Sequence, residues 1–537
     1  MRSKLASRML CATFLALSLV VPTALAALPS PAKTAQRVDA AIAEELFGEE
    51  TPLAPRSDDE TYLRRVWLDL VGDIPTPEDV TAFLLDSSTD KRERAVQQLL
   101  ASPYYGQNWA RYWRDVIFSR TIEDRAYIAA NAMETDLTGW LNEGVGWDQI
   151  AARFITSRGD VQERGSTAIL MAQDGRTEET TAEVSRIFLG IQIQCAQCHD
   201  HPYDRWKREQ FHELAAFFPR VGVRPVRGLT KRSFEVFGTD RFGRNAKKDN
   251  DRRPQAEHFM PDLNDPTAAG TQIQPKFFLT SATLPIGASD ADRRGQLAEW
   301  LTDNEWFAIA LVNRIWSELL GEGFYEPVDD IGPDRQASAP AAVQLLAAEF
   351  SNSGYDLRWL LETICLTEAY GRESRPRRDS EQTPFTANVP QRLRSDQLMN
   401  AILSALEVDE SQPANRGGRQ FANSPRKQFA DVFGYDPSVA RESVTLSIPQ
   451  VLALMNSAQV NRAVTAGRSN MLGRLLTAEA DDEQVILELY LCALSRQPSE
   501  EEIAQLLAYR DEVDDRQQAF EDALWALINS TEFQHRR

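Results

Sequence analysis

Two helix starts with the same chemistry stand near opposite ends of this chain. Ile74-Pro75-Thr76-Pro77-Glu78-Asp79 offers a Thr N-cap, a Pro at the first helical position and two acids in the first turn, a combination that satisfies or complements the unpaired N–H groups of a helix N-terminus. Val80, Phe83 and Leu84 follow at helical spacing. Pro498-Ser499-Glu500-Glu501-Glu502 repeats the pattern, with Ile503, Leu506 and Leu507 on one face. The endings match as well: Leu99-Leu100-Ala101-Ser102-Pro103-Tyr104-Tyr105, Leu527-Ile528-Asn529-Ser530-Thr531-Glu532-Phe533 and Ile364-Cys365-Leu366-Thr367-Glu368-Ala369-Tyr370. Shared capping chemistry and internal duplication both account for this, and either way helical hairpins are expected. Strand signals are few, so the chain is expected to be mainly α, a helical multi-domain protein.

At 537 residues the chain has room for two to four domains. Its 59 basic and 79 acidic residues leave a net charge of −20, which argues against nucleic acid as a partner of the whole surface. The acidity is uneven. Between Pro219 and Pro254 eleven Arg and Lys stand against four acids, with Gly and Pro scattered through the stretch and no sustained helical period. The expected organisation is a leader at 1–26, a helical domain at 36–218, a basic irregular linker or subdomain at 219–289, and a C-terminal helical domain at 290–537.

The leader follows from Arg2, Lys4 and Arg8 ahead of an apolar run from Met9 to Val21, then Ala24-Leu25-Ala26 as a small-x-small cleavage site. The run is too short to cross a bilayer core of roughly 30 Å, and no later apolar stretch is long enough. A Sec-type signal peptide, a periplasmic or extracellular location and no membrane span in the mature chain are therefore expected. Of the five cysteines, Cys11 falls in the leader, leaving Cys195, Cys198, Cys365 and Cys492. So few exclude a disulfide-dense scaffold. Cys365 and Cys492 lie among apolar residues and are expected to be buried thiols.

The chemistry concentrates in Cys195-Ala196-Gln197-Cys198-His199-Asp200-His201-Pro202-Tyr203-Asp204-Arg205-Trp206. Cys-x-x-Cys-His is the signature of covalent haem attachment: on a helical turn i, i+3 and i+4 face one way, so two thiols would meet the haem vinyls while His199 supplies the proximal nitrogen. Val184, Ile187, Phe188 and Ile191 form the apolar face of the helix expected to deliver it. Haem c is one cofactor reading. A zinc shell made by Cys195 and Cys198 with two of His199, His201 and His212 is another, and a Cys195–Cys198 disulfide with no cofactor is a third. Met171, Met260, His212 and His258 are the candidates for a sixth iron ligand. Asp200 and Asp204 are candidates to orient His199 or His201, and Tyr203 and Trp206 to wall a cofactor. The basic 219–254 stretch is a candidate contact for a redox partner or an anionic ligand.

At these residues the chain resembles the cytochrome-associated domain of unknown function abundant in secreted planctomycete proteins. Phe188-Leu189-Gly190, Leu214-Ala215-Ala216-Phe217-Phe218, Arg64-Arg65-Val66-Trp67-Leu68-Asp69-Leu70 and Trp109 with Trp113 belong to the likeness. The second half resembles the planctomycete-type C-terminal domain that follows it, through Val312-Asn313-Arg314-Ile315-Trp316, Gly321-Glu322-Gly323, Pro327-Val328-Asp329-Asp330, Ser353-Gly354-Tyr355-Asp356 and Arg392-Leu393-Arg394. The resemblance implies the two-domain architecture and brings no established reaction. The chain departs from it where Val444-Thr445-Leu446-Ser447-Ile448-Pro449 replaces the usual Glu-Pro-Thr. Asp329 and Asp330 are a carboxylate pair for acid/base or cation chemistry, or a turn or cap; Arg314 and Trp316 are expected to be structural. No phosphate loop, serine elbow or His-Glu-x-x-His motif is present, and catalytic residues are not identifiable. Two functions follow: a single-haem extracytoplasmic redox protein, or a non-enzymatic binding or scaffold protein whose Cys/His cluster is structural.

Overall fold

The computed structural model describes residues 28–227, 232–241, 254–265, 267–377, 382–408, 425–439, 447–455, 458–467, 470–478 and 481–537. The leader expected at 1–26, and residues 228–231 and 242–253 of the basic stretch, lie outside them. Twenty-four α-helices and seven short strands among the described residues make the protein mainly α.

The caps read from the sequence are in place. The Thr76 hydroxyl accepts the Asp79 N–H at the head of the Pro77–Leu85 helix, and the Asp79 carboxylate accepts the Thr76 N–H. Ser499 and Glu502 form the same reciprocal pair before Glu500–Val513. The three look-alike endings are one device. Ser102 closes Lys91–Ala101 and caps Pro103–Phe118; Ser530 closes Arg516–Asn529 and caps Thr531–Gln534; Thr367 follows Leu357–Cys365 and caps Glu368–Gly371. In each, the hydroxyl accepts an N–H of the next helix, from Tyr104, Phe533 and Tyr370. The chain thus turns a corner with almost no intervening loop.

The helices pack around two cores. The first takes residues from Val38 to Phe218, then Val221, Val236, Phe277 and Phe278 from the 219–289 stretch, then Leu297 to Tyr370. Its centre is aromatic: Trp113 stacks on Trp147 with centroids 4.3 Å apart, and Phe188 lies between Trp147 and Phe307 at 6.0 and 6.5 Å. Burying a large apolar side chain of this kind contributes about 1.5–3 kcal/mol. The second core is built from Leu393 to Phe533 and takes in Leu68 and Ile74 from the N-terminal half.

The 219–289 stretch holds two small sheets. Val221–Arg227 and Arg232–Gly238 pair antiparallel, and Gly159–Asp160 adds on the other side of Arg232–Gly238. His258–Met260 and Thr271–Ile273 form a separate ribbon. Among its described basic residues, Arg220 pairs with Asp240 and Glu257, and Arg224 with Glu235.

A third ribbon, Gln391–Arg392 with His535–Arg536, brings the C-terminal residues onto the Asp59–Val71 helix. Arg64 donates to the carbonyls of Ala493 and Phe533, and Arg65 to those of Tyr370 and Arg537. Asp69 receives Arg536 through two nitrogens at 2.9 Å and the Tyr370 hydroxyl at 2.8 Å. The Arg64-Arg65 pair and Asp69, part of the N-terminal motif, are therefore the dock for the far end of the chain.

Candidate functional site

The helix that leads to the cysteines is Thr177–Leu189, with Val184, Ile187 and Phe188 buried as expected and Ile191 buried just beyond. It stops at Gly190, whose φ of 65° is the left-handed cap geometry that favours glycine. Space demands glycine as well: a Cβ there would lie 2.6 Å from the Ile331 side chain. Gly190 O accepts the Ile331 N–H at 2.9 Å, which ties this corner to the loop carrying Asp329 and Asp330.

Those two carboxylates part company. Asp329 is buried and receives Arg186 at 2.9 Å and Arg314; Arg186 also holds Glu183 at 2.6 Å. Asp330 turns outward to Arg335. Asp329 works as a structural junction between the end of Thr177–Leu189 and the Glu305–Leu320 helix, which carries Arg314 and the buried Trp316.

Past the corner, Gln194–Gln197 makes a single 3₁₀ turn and Cys198 follows it. Cys195, Cys198 and His199 are exposed, with Ala196 buried beneath them. Both cysteines are free thiols. His199 Nδ1 lies 2.7 Å from the backbone oxygen of Asp200. A carbonyl only accepts, so Nδ1 carries the proton and Nε2 of the neutral ring holds the lone pair, free to take a metal. The orienting group is thus the Asp200 carbonyl. The Asp200 carboxylate instead accepts the Arg208 N–H at 3.0 Å and Lys207 Nζ at 2.9 Å, which hold it below the usual carboxylate range.

His201 is half-buried, its N–H donating to Trp206 O at 2.8 Å and its Nδ1 3.4 Å from Tyr203 N. Asp204 accepts the Arg205 N–H, and Arg205 forms an ion pair with Asp334. Trp206 is buried edge-on against Phe278 at 5.0 Å, whereas Tyr203 points to solvent.

Of the sixth-ligand candidates, Met171 is buried in the first core and Met260 is half-buried on the His258–Met260 strand. His212 and His258 are both buried and meet each other, Nδ1 of His212 lying 2.8 Å from Nε2 of His258 with the rings inclined by 24°. His212 Nε2 lies 3.1 Å from Gln197 O, inside the Cys-x-x-Cys turn. His212 is therefore engaged at both ring nitrogens rather than turned toward the thiols. Cys365 and Cys492 are buried elsewhere. Among the described residues no group of three or more His, Cys, Asp or Glu is arranged to hold a metal ion, and no helix is long and apolar enough to cross a membrane.

Burial pushes both rings of the pair down, His212 to about 4 and His258 to about 3, with Arg208 and Arg293 adding to the effect. A group that folds with a lowered pKa stabilises the fold fully above its unfolded value, about 6.5 for histidine, and loses that contribution as pH falls toward the folded value. The melting temperature is accordingly expected to decline between about pH 6.5 and 4. His212→Gln should flatten that decline in a pH series of thermal melts, and an unchanged slope would contradict the assignment.

Sequence reasoning named His212 and His258 singly and missed their pairing. Both ends of the contact are silent locally: one sits in the Arg208–Ala215 helix and the other on a three-residue strand.

The family models divide the chain as the two cores do not. Residues 37–222 match the PSCyt2 family, a protein of unknown function (DUF1549), and residues 293–431 match the PSD1 family, a protein of unknown function (DUF1553). No curated protein and no solved structure matches the chain. Cys195, Cys198, His199 and His212 all fall within the first of these stretches, so the candidate site lies in the part of the chain that matches the PSCyt2 model, ahead of the part that matches the PSD1 model.

Proposed function

We propose that the protein is an extracytoplasmic redox protein carrying one c-type haem, held by thioethers from Cys195 and Cys198 and ligated by His199 Nε2. The observation that carries this reading is the His199 geometry: the Asp200 carbonyl accepts the hydrogen bond from Nδ1–H and leaves the outer nitrogen as a metal-ready lone pair, beside two exposed free thiols on the same turn. The haem supplies one-electron chemistry when bound. The chain's own contribution is to present the two thiols to solvent, to fix the histidine tautomer through Asp200, and to hold Asp200 in place through Lys207 and Arg208. The Sec-type leader expected from the sequence at 1–26 would deliver the chain to the compartment where such attachment takes place.

Covalent haem survives denaturation, and zinc or a disulfide leaves no haem signal. The full chain expressed with its leader beside working haem-attachment machinery is expected to stain for haem on a denaturing gel and to begin at Ala27 by mass spectrometry. Cys195→Ser with Cys198→Ser should abolish the stain. A colourless wild-type protein from the same host would overturn the haem assignment.

A further inference from the structure

The carbonyl of Gln197, in the peptide that leads into Cys198, is held by groups that come from outside the motif. It accepts His212 Nε2 at 3.1 Å and Arg208 Nε at 3.3 Å. Because a carbonyl only accepts, His212 Nε2 carries the proton, and its Nδ1 is left as the acceptor for His258 Nε2 at 2.8 Å. The tautomers are thereby ordered along one line: His258 Nε2–H to His212 Nδ1, then His212 Nε2–H to Gln197 O. Both rings are almost inaccessible to water, at 4% and 1% exposure, so water does not compete for these bonds. The neutral state that this ordering requires agrees with the depressed pKa of both rings. Arg208 also donates to Pro261 O at 2.6 Å, which fastens the strand of His258 to the same turn.

The peptide unit is planar, so a fixed Gln197 oxygen fixes the Cys198 nitrogen on its far side and the direction from which the Cys198 side chain leaves. Ala196, buried below, anchors the Cys195 side of the turn. We infer that the buried His258–His212 pair is a positioning element for the Cys195–Cys198 turn, setting the spacing at which the two thiols meet a two-point partner. This rests on the haem reading for the identity of that partner, the two vinyl groups of haem. Each thiol adds across one vinyl, the sulfur bonding to one carbon and the thiol proton ending on the other, with nothing lost and no oxidant required.

The positioning is measurable without haem. In the reduced full chain made without attachment machinery, Cys195 and Cys198 react with oxidised glutathione to give one disulfide and two reduced glutathiones, and the equilibrium reports the effective concentration of one thiol at the other. His212→Phe is expected to lower that effective concentration by about tenfold, roughly the worth of one lost hydrogen bond. His212→Gln, whose amide still donates to Gln197 O, should stay within about twofold of wild type. His258→Phe, which leaves the His212 bond but removes its anchor, should fall between them. With attachment machinery present, haem incorporation should follow the same order. Thermal melts verify that each variant is folded; if His212→Phe is not, His258→Phe against His258→Gln carries the comparison, the Gln retaining a donor for His212. Folded Phe variants with the wild-type effective concentration would overturn the positioning role. An absent haem stain with the predicted order of effective concentrations would overturn the haem reading alone.

Discussion

Asp329→Ala is expected to destabilise the fold by about 3–5 kcal/mol, the cost of leaving a buried charge without its partner. Asp329 lies between two guanidiniums, Arg186 and Arg314, and all three side chains are at most 3% exposed. After the substitution Arg186 keeps Glu183 and the Val116 carbonyl, at 2.6 and 3.0 Å. Arg314 loses the carboxylate it touches and keeps the Tyr112 side chain, the Ser438 hydroxyl at 3.3 Å and the face of Trp113. The damage should therefore fall on Arg314. Adding Arg314→Leu to Asp329→Ala is expected to restore part of the loss, because it removes the stranded charge. Urea melts of the two single variants and the double variant test this. Strict additivity would show that the pair is not coupled.

Arg536→Ala is expected to have a similar cost, about 3–5 kcal/mol, although it removes a residue almost at the end of the chain. The Arg536 fork grips both oxygens of Asp69, and Asp69 would be left buried with the Tyr370 hydroxyl as a hydrogen-bond donor and the Arg65 charge nearby. The loss should also free the terminal strand from Gln391–Arg392, since Arg536 is one half of that ribbon. Hydrogen exchange should then rise at residues 391–393 and 533–537 before the rest of the protein opens. A melting temperature within two or three degrees of wild type would show that the dock carries little of the stability.

What the sequence revealed depended on range. Thr76 with Asp79 and Ser499 with Glu502 are contacts three residues apart, so their chemistry is written in a single stretch and the helices follow from it. The Cys195–His199 motif is contiguous and was visible for the same reason, as was the apolar face of Val184, Ile187 and Phe188. The supports of the site were not. His212 reaches His258 across 46 residues, and Arg536 reaches Asp69 across 467, and in neither case does the local pattern distinguish a partnered side chain from a solvated one. The Asp329-Asp330 doublet shows the limit most directly: adjacent in sequence, one faces Arg314 in the interior and the other Arg335 near the surface. The strands at 221–227 and 232–238 escaped because Gly222 and Pro225 interrupt an alternation already short, and because the stretch read first as a run of charge.

The first core has a bearing on inheritance. Phe188, in the stretch matching the first family model, touches Trp147 on one side and Phe307, in the second, on the other. Severed between the two, the leading half would present its aromatic interior to water, and the trailing half would lack Leu68 and Ile74 beneath its own helices. The border between the models is thus a border in the statistics of sequences and not in folding. Recombination that separated the two halves would therefore leave each with apolar surface that the other now covers.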